Sequence, residues 1–229
     1  MHILFWLLGA ALILAALQDL FHTLFHPSAR GDISDWLAMR VWRACRTGGR
    51  SFLQMAGPTA FATVILYWMI SVFLGFALIY RTQLPEGFIY LSGLGPRDFD
   101  SFLAACNLSL GSLITLSTGA VPKSGWVQLL MNIEAVFGFA ILTASISWIL
   151  SIYPVLEHRR TLAHQATLLH FGEMSEGRRL SRVSDSDLQT LFFGLGSQIT
   201  TARNELSQFP ITYFFYERDI QGALAGVLP

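Results

Sequence analysis

Residues 107–122 read Asn107-Leu-Ser-Leu-Gly-Ser-Leu-Ile-Thr-Leu-Ser-Thr-Gly-Ala-Val-Pro122, a short and weakly apolar segment that runs into small hydroxyl residues and a glycine. It lies between two strongly apolar runs. Its apolar part is about half the length that a membrane-crossing helix needs, since a helix requires roughly 20 residues to span the hydrocarbon. The hydroxyl-rich part that follows cannot hold a helix. Non-helical backbone persists at membrane depth only where protein buries it or where it lines water. The stretch therefore reads as a re-entrant loop, and such a loop implies a path for ions.

Composition supports a membrane setting. Hydrophobic residues make up 53% of the 229 residues, charged residues only 13%, and mean hydropathy is +0.50. A soluble domain averages roughly 25% charged residues. The formal net charge of +0 excludes a strongly basic nucleic-acid binder. Cys45 and Cys106 fall in segments expected at different depths, which argues against a disulfide, and two cysteines are too few for a structural metal site.

Working outward, Pro58–Tyr80 on one side and Trp126–Leu156 on the other are long apolar runs, each long enough to span. A third begins at Ile3 and continues to His26, where Pro27 stops it. It starts uncharged and shows no small-residue cleavage site, so it reads as a retained helix and not as a signal peptide. Between the first two spans, Asp32 or Asp35 offers cap chemistry. Trp36, Leu37 and Val41 then share one side of a helix, and Arg40, Arg43, Arg46 and Arg50 another. This basic amphipathic segment suits the headgroup region and anionic lipid. By the positive-inside rule it places the 28–57 loop in the cytoplasm, leaving the N-terminus outside. Arg81–Asp100 carries Pro85, Gly87, Gly93, Gly95 and Pro96 as breakers and reads as an outer loop. Asp98 or Asp100 is expected to start a short helix over 101–113. Arg159 and Arg160 return the chain to the cytoplasm, and Leu188, Leu191, Phe192, Leu195 and Ile199 recur at helical spacing until Pro210.

The expected architecture is an all-α membrane protein with three transmembrane helices, a re-entrant pore helix and loop, and a helical cytoplasmic tail. Its segments are an N-terminal span (1–27), a basic amphipathic helix (28–57), a pore domain (58–156) and a tail (157–229). The pore domain holds the short helix 101–113, the loop 115–119 and the inner helix 126–156. The protein is expected in the cell (inner) membrane.

Three sets of residues carry this resemblance: Asp19–Pro27, the loop after the short helix, and Ile133-Glu134-Ala135-Val136-Phe137-Gly138. Through them the chain resembles the bacterial two-transmembrane potassium-channel-like (pore-loop) family, with an extra N-terminal helix. The resemblance implies a homotetramer passing potassium or another monovalent cation, with no cofactor and no enzymatic activity. Family filters read Thr-Val/Leu-Gly-Tyr/Phe-Gly-Asp with a proline soon after. Thr115 and Leu116 match the opening pair and Gly119 the second glycine. Ser117 replaces the first glycine, Thr118 the aromatic residue and Ala120 the aspartate. Lys123 adds positive charge beyond Pro122. Serine at the first glycine position is strained wherever φ must be positive. On this alignment, Ser117→Gly with Ala120→Asp is expected to raise potassium preference.

Other candidate residues come with two readings each. Gly138 sits where the family places a gating hinge, and glycine equally permits close helix packing. Pro154 can kink the same helix. Glu134 lies one turn from Gly138 and either lines the pore or is hydrogen-bonded behind the short helix, the latter being expected. Asp19, His22 and His26 share a helical face and suit a proton-sensing or metal site, or else hydrogen bonds to neighbouring helices. Two alternatives follow: a non-conducting scaffold or regulatory subunit on the same fold, and a metal-binding membrane enzyme using His22 and His26.

Overall fold

The computed structural model describes residues 2–25, 31–175 and 184–215. The molecule is an all-α membrane protein. In chain order its elements are α1 (His2–Phe25), α2 (Asp32–Thr47), α3 (Arg50–Arg81), β1 (Phe88–Tyr90), α4 (Phe102–Leu113), β2 (Ala120–Pro122), α5 (Gly125–Ser175) and α6 (Asp185–Gln208). Three of these are long and apolar enough to cross a membrane: His2–Leu24, Ser51–Arg81 and Gly125–Leu169. The α4 helix is apolar but has only 12 residues, so it cannot cross.

The chain divides into two compact units, Met1–Leu24 with Ala62–Ser147, and Phe25–Phe61 with Trp148–Pro229. Within the first unit α1 runs antiparallel to α3. At one end Trp6 Nε1 donates to Thr82 Oγ1 (3.0 Å), and at the other Trp68 Nε1 donates to Asp19 Oδ2 (2.9 Å). Between them Gly9 and Gly75 touch, so closely that a Cβ on Gly9 would stand 2.5 Å from the Gly75 carbonyl oxygen. Small residues at a crossing let membrane helices approach this closely. The α5 helix packs against α3 through Phe76 and Phe137 (6.2 Å between rings).

The segments before and after α4 pair as a two-stranded antiparallel ladder. The β1 strand pairs with β2 in the register Phe88–Pro122, Ile89–Val121 and Tyr90–Ala120. A loop free of strands is expected from the sequence; three residues of Phe-Ile-Tyr are too few to show an alternating pattern. Tyr90 stacks on Phe99 (4.6 Å) and donates to the Pro85 carbonyl, and burial pushes its phenol above the ordinary value.

In the second unit α2 packs on the turn Pro210–Phe214. Arg159 of α5 holds this turn, donating to the carbonyls of Thr212 (3.1 Å) and Phe215 (2.9 Å). Phe61 and Trp148 are in ring contact at 4.6 Å. His158 Nδ1 and Glu205 Oε1, on α5 and α6, approach to 2.6 Å.

Several boundaries differ from expectation. The α3 helix begins at Arg50, well ahead of Pro58, which lies inside it. The corner is made at Gly48–Gly49, where Gly49 has φ +94, a conformation that glycine adopts without strain. Pro58 omits one ladder bond without ending the helix. The α5 helix likewise runs unbroken past Leu156 to Ser175, with Pro154 inside it. The N-terminus of α2 has Gly31 as its cap with no side-chain bond, and Asp32 and Asp35 sit in the first turn instead.

Candidate functional site

The short helix α4 is positioned by hydroxyl groups. Its N-cap is Ser101, whose side chain accepts from Ala104 N (3.0 Å). Neither Asp98 nor Asp100 serves there. Asp98 accepts from Gly95 N (2.8 Å), and Asp100 lies 3.5 Å from Arg81. Further along α4, Ser109 and Ser112 are spaced i and i+3 and so lie on one face. Ser109 Oγ lies 2.8 Å from the Phe73 carbonyl of α3 and is hydrogen-bonded to Glu134 Oε1. Ser112 Oγ donates to the Met131 carbonyl of α5 (2.8 Å).

Glu134 is the hub of this arrangement. It is fully buried, and Tyr80 of α3 donates to its Oε2 at 2.8 Å. One carboxyl thus joins the helix before the loop, α4 and the helix after it. An acid at membrane depth is tolerated only with such partners. Glu134 is thus hydrogen-bonded to both α3 and α4. Its partners Tyr80 and Ser109, and Ser112 beside them, are not singled out by sequence reasoning. The available signal is the pair of hydroxyls on one face of an otherwise apolar helix.

Gly138 completes the seat of α4. A Cβ at Gly138 would come within 2.1 Å of the Leu113 carbonyl oxygen and 3.0 Å of its carbon. The geometry is that of backbone packing between α5 and the end of α4. Beside this contact a cavity of about 330 Å³ is lined by Ile65, Met69, Leu113, Ile114, Thr115 and Phe139 among others.

From this seat the chain turns at Ile114 and Thr115. Thr115 N donates to Ser112 O (3.0 Å) and Leu116 N to Gly111 O (2.7 Å). Thr115 has φ +58, a left-handed conformation that is rare and strained for a β-branched residue. The positive φ falls on Thr115 and on Gly119 (φ +77), and Ser117 is not among the positive-φ residues. Strain is thus at the threonine and not at the serine. Replacing it with glycine, Thr115→Gly, is expected to stabilise the fold by about 1 kcal/mol, because αL costs other residues roughly 1–2 kcal/mol. A higher melting temperature of purified protein in detergent checks this.

Beyond the turn, Thr115, Leu116 and Ser117 are exposed and Thr118 half-buried. Among the described residues no hydrogen bond reaches the carbonyls of Thr115, Leu116, Ser117 or Thr118. The Gly119 carbonyl is different: it accepts from Leu91 N (3.0 Å). Of the five residues 115–119, Gly119 alone has its carbonyl engaged by a hydrogen bond among the described residues. From Ala120 onward the backbone is held in the β1–β2 ladder. Ala120 is 7% exposed, so an aspartate there would be buried. Lys123 is tied down as well, with Nζ donating to the Glu86 carbonyl (2.7 Å) and its amide to Gly87 O (2.9 Å).

The remaining candidates lie apart from the loop. Asp19 is buried and held by Trp68. His22 is half-buried one turn further along α1, and His26 falls outside the described residues. Among the described residues no three histidine, cysteine or carboxylate groups cluster as a metal site would require. On α2, Arg40, Arg43 and Arg46 are exposed; the side chain of Arg50 lies outside the described residues. Trp36 is on the same side as these arginines, because Arg40 lies over its ring at 4.6 Å. Grouping Trp36 with Val41 by spacing alone is thus corrected.

A protein of Bacillus subtilis (strain 168) named "Uncharacterized membrane protein YdjJ" is 24% identical to this chain over 219 residues. The match covers 93% of this chain and 63% of that protein, so the chain spans under two thirds of its relative's length. No protein-family model matches, and no solved structure matches.

Proposed function

We propose that the protein is a pore-loop ion channel of the cell membrane, assembled as a homotetramer and passing monovalent cations. The observation that carries this reading is the stretch Thr115–Thr118. It is exposed through Ser117 and half-buried at Thr118, non-helical and free of hydrogen bonds at its carbonyls, and a helix too short to cross a membrane delivers it. Carbonyl oxygens left unpaired inside a bilayer cost several kcal/mol each unless water or ions satisfy them. An ion path supplies that partner, because a cation exchanges its hydration shell for carbonyls. One copy provides a single strip, so several copies must converge on an axis, and four is the number the family resemblance implies. The basic α2 then faces the cytoplasm and the N-terminus lies outside.

Potassium is one candidate ion among the monovalent cations. The strip lacks the glycine, aromatic and acidic residues of a potassium filter at Ser117, Thr118 and Ala120, and it offers four free carbonyls per chain. Ser117→Gly alone is the appropriate selectivity test, since Ala120→Asp would bury a charge. It is expected to raise the potassium-to-sodium flux ratio; an unchanged ratio would show that Ser117 does not shape the ion path.

Flux through liposomes loaded with potassium, sodium or chloride tests the function itself. Cation flux above empty vesicles is expected. Absence of flux for every ion would favour the non-conducting scaffold, a reading that the engaged Gly119 carbonyl and the tethered Lys123 also support.

A further inference from the structure

We propose that the outer face of α2 is a docking surface for an anionic lipid bilayer. The two faces of this helix are chemically distinct. Ser34, Ala38, Val41 and Cys45 follow one another at helical spacing on one side, Ser34 and Ala38 buried and Val41 and Cys45 half-buried, and α2 is in contact with the turn Pro210–Phe214. The opposite side presents Trp36, Met39, Arg40, Arg43 and Arg46, all exposed. Trp36 and Met39 are 53% and 43% exposed. Each arginine leans back onto an apolar neighbour four residues earlier. Arg40 lies over Trp36 (4.6 Å), Arg43 approaches the Met39 sulfur (3.0 Å), and Arg46 lies over Trp42 (5.4 Å).

None of the three arginines makes an ion pair among the described residues. Their charge is therefore uncompensated among the described residues, and the only acids on α2, Asp32 and Asp35, sit in its first turn. The partner must carry negative charge and also accept exposed tryptophan and methionine side chains. A free anion meets the first requirement only. A membrane surface containing anionic headgroups meets both, as interfacial helices with basic and aromatic residues on one face do.

Placement supports the same occupant. Only Gly48 and Gly49 separate α2 from α3, whose membrane-spanning stretch starts at Ser51. Phe52 and Met55, each 60% exposed, extend the apolar surface from α2 into that span. The helix is thus within two residues of a bilayer and is braced from behind by the turn that Arg159 holds.

The test uses the full chain in nanodiscs of phosphatidylcholine alone or with a quarter phosphatidylglycerol, read by hydrogen–deuterium exchange over residues 32–47. Each basic residue near an anionic surface is worth about 1 kcal/mol, or roughly fivefold in occupancy. With three arginines the full effect is roughly a hundredfold, and exchange of the α2 amides is expected to slow at least tenfold in the anionic discs. The effect should shrink at about 0.5 M salt, where surface charges are screened within a few ångström. It should disappear in the combined variant Arg40→Gln, Arg43→Gln, Arg46→Gln and persist in the corresponding lysine variant, which keeps the charge. Equal exchange in both discs for the unmodified chain would overturn the proposal. So would equal slowing in neutral discs on adding inorganic phosphate, which would assign the arginines to a soluble anion. Since exchange is read without any flux, the result stands apart from whether the loop conducts.

Discussion

Replacing Glu134 with alanine is expected to lower stability by about 3 kcal/mol and to abolish flux together. The substitution removes the one group that links Tyr80, Ser109 and α5, and it leaves two hydroxyls in an apolar setting. A buried polar group stripped of its partner costs about 1–3 kcal/mol, and a large-to-small change in a packed site adds a cavity term. Glu134→Gln is expected to retain most of the stability. The Ser109 hydroxyl has one hydrogen and two oxygens within reach, Phe73 O and Glu134 Oε1. The amide of the glutamine variant can donate to Ser109 while its oxygen accepts from Tyr80. Tyr80→Phe removes one hydrogen bond and should cost about 1 kcal/mol. Thermal unfolding in detergent, measured beside liposome flux, checks the series. Equal melting temperatures for Glu134→Ala and the unmodified chain would mean that the acid does not hold α4.

Gly138→Ala is expected to destabilise by about 2 kcal/mol, within the range for overpacking a close contact. The added Cβ would lie 2.1 Å from the Leu113 carbonyl oxygen, where only backbone can give way. Because Leu113 precedes the turn at Thr115, displacement at this contact moves the strip directly. The experiment also separates two roles. A packing residue loses melting temperature and flux together when enlarged. A hinge, which bends a helix without filling a gap, would alter flux gating with a melting temperature that rises or holds, since alanine is the better helix former by about 1 kcal/mol.

The three spans were legible because each is a long apolar run with a clear stop or return signal: Pro27, the breakers after Tyr80, and the Glu157-His158-Arg159-Arg160 cluster. The short helix was legible for the converse reason, since a largely apolar helix of 12 residues cannot cross. What composition did not reveal was pairing across elements. Glu134 could be expected to bond to α4, but its partner Tyr80 is 54 residues away, and no local pattern distinguishes it from Tyr67 or Tyr90. Likewise Asp98 and Asp100 look like helix caps by residue type, yet nearby Gly95 and Arg81 engage them, leaving Ser101 to cap. Arg159 reads in the sequence as a topology marker alone. Its hold on Thr212 and Phe215 depends on the tail folding back, which no spacing encodes.

The strip itself was half legible. Small hydroxyl residues after a short apolar helix mark where the backbone leaves helical geometry. The residue that turns left-handed is decided by the closing bonds that the Thr115 and Leu116 amides donate to the Ser112 and Gly111 carbonyls, and these put the strain on Thr115. The loss of the Gly119 carbonyl follows from β1, whose three residues give no usable periodicity.

The most direct measurement of the central claim is flux through a Ser117→Cys variant in liposomes, with Cys45 and Cys106 replaced beforehand so that position 117 bears the only thiol. The ion-path reading predicts cation flux that falls sharply when a charged, membrane-impermeant thiol reagent is added, and recovers on reduction. Cation flux that proceeds unchanged after complete labelling at position 117 would contradict it.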